Sequence, residues 1–265
     1  MAAKGNNAMD KKGTIPWSNR TRQKVEMQYG LGKIPYMRVW NHTQRAVADI
    51  NGTSWEDSFQ LLYRFKAEVE RSSPGSSVEI DHHIGRYKLS GKEKEKTCFR
   101  RAFVSFKACW EGFLNGCRPY LAVDATVLNG RWKGQLVAAC AVDGHNWLFP
   151  VAYGVVEVES EESWKWFLER LRDVIGCPDG LAIHTDACKG LETAVEAVFP
   201  LTEHRECMCH LSGNFVKKFR GKIYDDYLWP AAYTCSKLKH NHHLKVLYKA
   251  NPEVKDYLEK HYRKL

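Results

Sequence analysis

The 265-residue sequence lacks the long apolar run that a membrane-spanning helix requires. Such a helix needs roughly 18 or more consecutive apolar residues, and no segment approaches that length. The first 20 residues are polar and contain lysine without an apolar stretch behind them, so the sequence predicts neither a signal peptide nor a membrane anchor. We therefore expect a soluble protein with no membrane partner.

Regular cysteine spacing is missing as well. The nine cysteines are an odd set, scattered from Cys98 to Cys235 without the even spacing of a secreted disulfide framework. A reducing compartment, either the cytoplasm or the nucleus, is therefore expected.

Basic residues are plentiful: 40 Lys and Arg against 31 Asp and Glu give a formal net charge of +9. This excess favours a polyanionic partner, because cations that neutralise phosphates release counterions. Charge alone does not identify that partner, since many basic proteins bind no nucleic acid. Hydrophobic residues make up 44% of the chain, which is enough to form a buried core.

The middle of the chain predicts a sheet. Three extended runs rich in β-branched and aliphatic residues predict three consecutive strands. These runs are Tyr120–Leu128, Gln135–Val142 and Trp147–Val158. Their two connections, residues 129–134 and 143–146, carry hairpin turn chemistry. An antiparallel meander of three strands is therefore predicted.

Alternating helices and strands follow the meander. An amphipathic helix that contains Trp164 is stopped by Gly176, the short strand Leu181–Asp186 comes next, and a second helix stops at Pro200. Thr202–Cys207 supplies a fifth strand. This order predicts an α/β protein with the RNase H-like fold, a mixed five-stranded sheet whose fourth strand lies beside the first.

The flanking regions are predicted to be mainly helical. Residues 1–50 read as a polar, poorly packed lead-in, and a helix begins near Trp55. A short strand is predicted at Ser77–Ile80, followed by a solvated Lys/Glu run at residues 92–96. Residues from His210 onward are basic and helical in pattern.

A stripe of aromatic residues precedes the meander. They recur at steps of four and three, which predicts one amphipathic helix that packs in the core. Its members are Phe99, Phe103, Phe106, Trp110 and Phe113. Together these patterns divide the chain into a polar and helical lead-in at residues 1–95, a core at 96–215 and a helical segment at 216–265.

Two aspartates stand out as candidate metal ligands. Asp124 interrupts the apolar run Leu121–Leu128, where a buried carboxylate is costly unless a cation or hydrogen bonds compensate it. Asp186 ends the fourth strand, 62 residues later, and is expected to neighbour Asp124. Two facing carboxylates favour a divalent cation between them, with Mg²⁺ or Mn²⁺ as the expected occupant of a two-metal site. The alternative is that Asp124 bonds a nearby backbone group or arginine and that Asp186 only caps the next helix.

Several blocks of residues follow one another in a recognisable order. They are Gly112–Tyr120, Val123–Thr126, Leu128–Gly130, Asp143–Asn146, Phe149–Tyr153, Ser163–Leu168, Thr185–Asp186, Lys189–Leu191, Phe199–Pro200 and His204–His210. With these blocks, the chain resembles plant Mutator-like element (MULE) transposases over roughly residues 75–265. The resemblance implies a DDE transposase core with Asp124 and Asp186 as its first two acids. It also implies DNA partners, namely transposon ends and target, and a nuclear location, and it leaves a homo-oligomer open.

The third acid that the resemblance implies is a glutamate beyond a helical segment. The chain is expected to stop before it, because Glu253 and Glu259 lack the surroundings of the family's glutamate. The alternatives are the acids after the third strand and at the start of the next helix, which are Glu157, Glu159, Glu161 and Glu162. The family's N-terminal zinc module is not visible in residues 1–95.

Cys207 and His210 match a short Cys-x-x-His signature of such transposases. Zinc is one interpretation, since Cys209 and His204 are near, but a closed zinc site normally takes ligands from two separated segments. Packing or a DNA contact is therefore the favoured role for this pair.

Three functions follow from the sequence. The first is metal-dependent DNA cleavage and strand transfer in transposition, with a catalytic set that this chain does not complete. The second is a domesticated or decayed relative that binds DNA or acts in regulation without catalysis, as in plant far-red-response transcription regulators. The third is an unrelated RNase H-like nuclease, which predicts a further acid near Asp124 and Asp186.

Overall fold

The computed structural model describes residues 35–51, 57–89, 92–130, 132–186 and 188–261. The part of the predicted lead-in at residues 1–34 lies outside the described residues. The chain divides into two compact units, one formed by Met1–Glu68 with Leu128–Lys133 and the other by Val69–Val127 with Gly134–Leu265. Both candidate aspartates lie in the second unit.

Two helices come first among the described residues. α1 spans Tyr36–Asn51, within the predicted lead-in, and α2 spans Asp57–Ser72, where a helix was predicted. α2 is followed by a turn in which Gly75 has a positive φ of 94°, a conformation that favours glycine.

A long antiparallel hairpin follows, formed by β1 (Ser77–Leu89) and β2 (Lys92–Ser105). The predicted strand at Ser77–Ile80 is thus the start of a longer one, and the helix predicted through Phe99 and Phe103 is wrong. A step of four residues puts two side chains on one face of a strand as well as on one face of a helix. Burial alternates residue by residue at the end of β2, as in a strand. α3 (Lys107–Gly116) then carries only the last members of the aromatic stripe.

The predicted meander forms β3 (Tyr120–Asn129), β4 (Lys133–Val142) and β5 (Leu148–Val156). β6 (Ala182–Thr185) pairs in parallel with β3, and β7 (Glu203–Glu206) in parallel with β6. The placement of the fourth predicted strand beside the first is therefore confirmed.

The sheet has seven strands in the order β1-β2-β5-β4-β3-β6-β7. The predicted count of five is wrong because β2 adds antiparallel to β5, where Phe103 pairs with Gly154, and β1 extends the sheet beyond it. The architecture is a mixed α/β sheet with helices.

Two helices connect the parallel strands and share a core with them. α4 (Glu161–Ile175) lies between β5 and β6, and α5 (Lys189–Val198) between β6 and β7. Ser160 caps α4 by accepting a hydrogen bond from the Ser163 backbone N–H. The core that they form with the sheet is aliphatic and aromatic; its fully buried members include Phe103, Leu121, Val137, Phe167, Leu168, Leu171, Ile183 and Leu191.

Residues beyond β7 form four helices, α6 (Met208–Lys218), α7 (Lys222–Tyr233), α8 (Lys237–Ala250) and α9 (Glu253–His261). Through residue 261, where the description of the chain ends, this region contains no strand, as predicted. It has an apolar cluster of its own, which consists of Leu211, Phe215, Phe219, Tyr224, Leu228, Leu247, Val254 and Leu258. Across all the described ranges, no helix is both long enough and apolar enough to traverse a bilayer.

Candidate functional site

The two aspartates follow the paired residues of two neighbouring parallel strands. The pairing of β3 with β6 ends at Ala122 opposite His184, and Asp124 and Asp186 each come two residues later. Neighbouring strands lie about 5 Å apart. The two aspartates therefore lie close together where the β3–β6 pairing ends, Asp124 in the middle of β3 and Asp186 just after β6.

Asp124 is exposed, although the strand before it is buried at Leu121 and Val123. Its carboxylate Oδ1 accepts a hydrogen bond from the Ala125 backbone N–H at 2.8 Å. The expected burial cost at this position does not arise, because β3 leaves the core at this residue. The structure thus shows one neighbouring backbone bond, and Asp124 remains open to solvent.

Asp186 is half-buried and is not the cap of the helix that follows it. The N-cap of α5 is Cys188, whose side chain makes no capping hydrogen bond. The buried Thr185 hydroxyl lies 2.9 Å from the Asp186 carbonyl oxygen and 2.8 Å from Nε2 of His204. These contacts anchor the end of β6 to β7 immediately before the carboxylate.

Glu159 is the third acid at this edge. Burial raises the pKa of the Glu159 carboxyl above its ordinary value, and the negative charges of Asp186 and Asp124 raise it further. A carboxylate responds in this way to like charges that lie nearby. Glu159, whose side chain is mostly exposed, thus lies near both candidate ligands, and the sequence alone offers it only as one of four alternative acids.

The amino ends of α4 and α5 meet beside these acids. A Cβ atom at Gly190 would lie 3.0 Å from the backbone nitrogen of Glu161, so glycine allows the two helix starts to approach. Glu159 lies just before α4, and Asp186 just before α5. Helix amino ends carry partial positive charge and free N–H groups, which favour anions such as phosphate.

Two of the alternative acids are engaged elsewhere. The Glu157 carboxylate accepts from Nε of Arg100 at 2.8 Å, and that of Glu162 accepts from Arg100 and Arg101 at 2.8 and 3.0 Å. These bonds lower the pKa of the Glu162 carboxyl. Of the acids proposed from the sequence, Glu157 and Glu162 therefore pair with the arginines, and Glu159 lies near the aspartates.

Glu206 at the end of β7 adds another half-buried carboxyl. Burial, together with the charges of Glu192 and Asp186, raises its pKa from 4.5 to about 7. The folded protein therefore holds this proton more tightly than the unfolded chain does. The resulting penalty sets in as the pH rises from about 4.5 and is complete above about pH 7.

We expect the Glu206→Gln variant to be more stable than the wild type at pH 8 by about 1–2 kcal/mol, after allowance for solvent exposure. The difference should shrink toward pH 5, because wild-type Glu206 is then protonated. Urea unfolding at pH 5, 6, 7 and 8 measures it. Glu203→Gln changes an exposed carboxylate on the same strand and should keep the wild-type pH slope; an equal effect of both variants would contradict the assignment.

Cys207 and His210 lie at the start of α6. Cys207 is half-buried, and its backbone N–H bonds the Thr185 carbonyl, whereas His210 is exposed. Burial and the neighbouring Cys207 and Cys209 raise the pKa of Tyr120. The signature thus packs beside the β3–β6 pair, and a zinc site there stays a prediction.

The donor set at the sheet edge fits a hard divalent cation by its chemistry, since carboxylate oxygens are the ligands that Mg²⁺ and Mn²⁺ prefer. No group of three or more His, Cys, Asp or Glu side chains lies close enough to hold a metal ion within the described ranges. The geometry accordingly places two aspartates at the end of the β3–β6 pairing, and the effect of their charges on the pKa of Glu159 indicates a third carboxylate nearby.

Comparison with known proteins matches residues 120–214 to the family model of the MULE transposase domain. This stretch runs from β3 into α6 and contains Asp124, Glu159, Asp186 and the Cys207/His210 pair. The family resemblance is confirmed over this range.

Two curated proteins are similar to the chain. PKS-NRPS hybrid synthetase cheA of Chaetomium globosum is 30% identical over 142 residues, which cover 52% of this chain and 3% of the synthetase. Protein FAR1-RELATED SEQUENCE 6 of Arabidopsis thaliana is 28% identical over 99 residues, which cover 37% of this chain and 14% of that protein. The similarity therefore spans only a small part of either relative.

Proposed function

We propose, from the premise that residues 120–214 carry a MULE transposase domain, that this protein cleaves and joins DNA with a divalent metal ion at Asp124 and Asp186. The observation that supports this proposal best is that Asp124 and Asp186 each follow the paired residues of two adjacent parallel strands, with Glu159 near enough for their charges to raise the pKa of its carboxyl. The ligand is DNA, both transposon ends and target, and the expected place of action is the nucleus.

The proposal includes an RNase H-like fold for the central sheet. Support comes from the strand order β5-β4-β3-β6-β7, in which two strands after the meander add in parallel beside its first strand. The β1–β2 hairpin then extends the opposite side of this five-stranded unit.

Mg²⁺ or Mn²⁺, when bound, polarises the scissile phosphate and favours an attacking water or 3′ hydroxyl. Asp124 is exposed and presents its carboxylate toward solvent, where a phosphate can approach. Glu159, which lies near both aspartates, would supply a further oxygen donor. The amino ends of α4 and α5 favour the negative phosphate beside these acids.

Metal binding tests the proposal directly. Calorimetric titration with Mn²⁺ should show binding to the wild type and at least a tenfold weaker affinity in Asp186→Asn, because one ligand loses its charge. Nicking of supercoiled DNA with Mn²⁺ is measured in parallel. Asp173→Asn, an exposed carboxylate of α4 paired with Arg170, is the matched control and should bind as the wild type does. Equal Mn²⁺ affinity in the wild type and Asp186→Asn would overturn the proposal.

A second candidate is a transposase-derived protein that binds DNA or acts in regulation without catalysis. The similarity to Protein FAR1-RELATED SEQUENCE 6 favours it, because the family resemblance extends to far-red-response regulators. DNA binding that is equal with Mn²⁺ and with EDTA, with no nicking under either condition, would identify this function. Under both candidate functions, a homo-oligomer and a zinc ion at Cys207 and His210 remain predictions.

A further inference from the structure

The outer half of the β1–β2 hairpin separates its charges by face. In the antiparallel register Tyr87 is opposite Lys94, and Gly85 is opposite Lys96. Opposite residues share a face, and residues two apart on one strand share it too. Lys92, Lys94 and Lys96 therefore lie on one face with Tyr87, and all four are exposed. We call these four residues the lysine face.

The acidic residues of the same segment lie on the other face. Glu95 is opposite Arg86 and pairs with it, with Nε and Oε1 3.0 Å apart, and Glu93 is opposite Lys88. The Lys/Glu alternation, which in sequence suggested only a solvated run, has the period of the strand. As a result, residues two positions apart in this part of β2 carry the same sign of charge.

The dimensions of the lysine face suit a phosphate backbone. Residues in an antiparallel strand rise about 3.4 Å each, so the three lysines extend over about 14 Å. One DNA strand carries a phosphate every 3.4 Å of helix axis, so about four phosphates fall within that length. The Tyr87 hydroxyl is a further donor of the kind that binds phosphate oxygens.

The hairpin is fastened to the segment that leads to the acidic edge. The buried Arg101 of β2 bonds the Glu162 carboxylate at 3.0 Å and lies 3.5 Å from that of Glu157. Glu159 lies between these two acids in the chain. Arg101 therefore connects the hairpin to the segment that contains Glu159, and DNA bound at the hairpin is linked to that segment through Arg101.

We propose that the lysine face is a binding surface for the phosphate backbone of DNA, separate from the carboxylates of Asp124 and Asp186. The choice of DNA over other polyanions rests on the proposed function. Binding at this surface depends on charge and not on base sequence, because phosphate contacts position a duplex without reading it. It needs no divalent cation.

The test is DNA binding by the full chain in EDTA, measured by fluorescence anisotropy with a labelled 30-base-pair duplex of arbitrary sequence over a range of NaCl concentrations. In the variant with Lys92→Ala, Lys94→Ala and Lys96→Ala, we expect the slope of log affinity against log salt to become shallower by about 2–3. The affinity at 0.1 M NaCl should fall by about 10–100-fold.

Two controls make the result specific. The triple Lys→Arg variant at the same positions should retain both slope and affinity, since it keeps the charge. The variant with Lys237→Ala, Lys245→Ala and Lys249→Ala removes the same charge from exposed positions of α8 and should change the slope by less than 1. An unchanged slope in the hairpin variant, or an equal loss in the α8 variant, would overturn the proposal. Far-UV circular dichroism establishes that each variant is folded.

The result of this DNA-binding test can be distinguished from the result of the Mn²⁺-binding test of the proposed function. Because binding is measured in EDTA, metal ions at Asp124 and Asp186 make no contribution to the measured DNA affinity. If the wild type does not bind Mn²⁺ but binds DNA through the three lysines, the proposed function fails and the lysine face stands. If the wild type binds Mn²⁺ but its DNA binding does not depend on the lysines, the lysine face fails and the proposed function stands.

Discussion

Replacing Asp124 with asparagine is expected to reduce Mn²⁺-dependent DNA cleavage by about 10³-fold, which corresponds to roughly 4 kcal/mol of transition-state stabilisation. Asp124 is an exposed carboxylate in the middle of β3, so the substitution removes a proposed metal ligand and leaves the core intact. Asparagine retains an oxygen that accepts the Ala125 N–H bond. Initial rates of nicking with saturating Mn²⁺ measure the effect.

Thermal unfolding accompanies this measurement, and the Asp124→Asn variant should unfold within about 2 °C of the wild type, because an exposed isosteric change has little effect on stability. Glu159→Gln should lower the cleavage rate as well, whereas Glu157→Gln should alter stability first, since Glu157 bonds Arg100. A cleavage rate in Asp124→Asn within threefold of the wild type would contradict the metal-ligand role.

Replacing Arg101 with alanine is expected to lower the free energy of unfolding by about 3 kcal/mol. Only 2% of this side chain is exposed, and it joins β1, β2 and α4 through Asp81 and Glu162. Its Nε lies 3.1 Å from Oδ2 of Asp81 but forms no hydrogen bond, so that contact is electrostatic only. The guanidinium also lies 5.4 Å from the ring centre of Trp166. Truncation leaves a cavity at this buried position and removes the contacts of Arg101 with Asp81 and Glu162, whereas Arg100 still bonds Glu162.

Arg100→Ala is the matched control for this prediction. Arg100 bonds the same acids as Arg101, but its side chain is 29% exposed, so we expect a loss of about 1 kcal/mol or less. Urea unfolding at pH 7 measures both variants. Equal losses would show that the buried position of Arg101 is not the source of its contribution.

The sequence was most informative where local pattern and tertiary context agree. Alternating apolar runs and hairpin turns predicted β3 to β5, and amphipathic spacing with stop signals at Gly176 and Pro200 predicted α4 and α5. The β1–β2 hairpin was missed because its aromatic residues, Phe99 and Phe103, fit the periods of both helix and strand. Only pairing with β5 decides between them, and that partner lies about 50 residues further along the chain.

The candidate site could likewise be predicted only in part from the sequence. The acidic interruption in β3 and the acid at the end of β6 could be found from the strand pattern alone. The four glutamates near α4 could not be ranked, because their roles depend on Arg100 and Arg101, about 60 residues earlier. Residue spacing carries no information on such distant partners.

The contact between Gly190 and the start of α4 has a consequence for how the acidic edge tolerates change. Glu159 and Asp186 are joined along the chain by α4, the turn at residues 176–180 and β6, yet their mutual position is set where the two helix starts touch. We therefore expect the spacing of these two acids to tolerate changes in the length of that connecting turn. Insertions there alter a remote surface, whereas one methyl group at Gly190 acts on the spacing of the acids themselves.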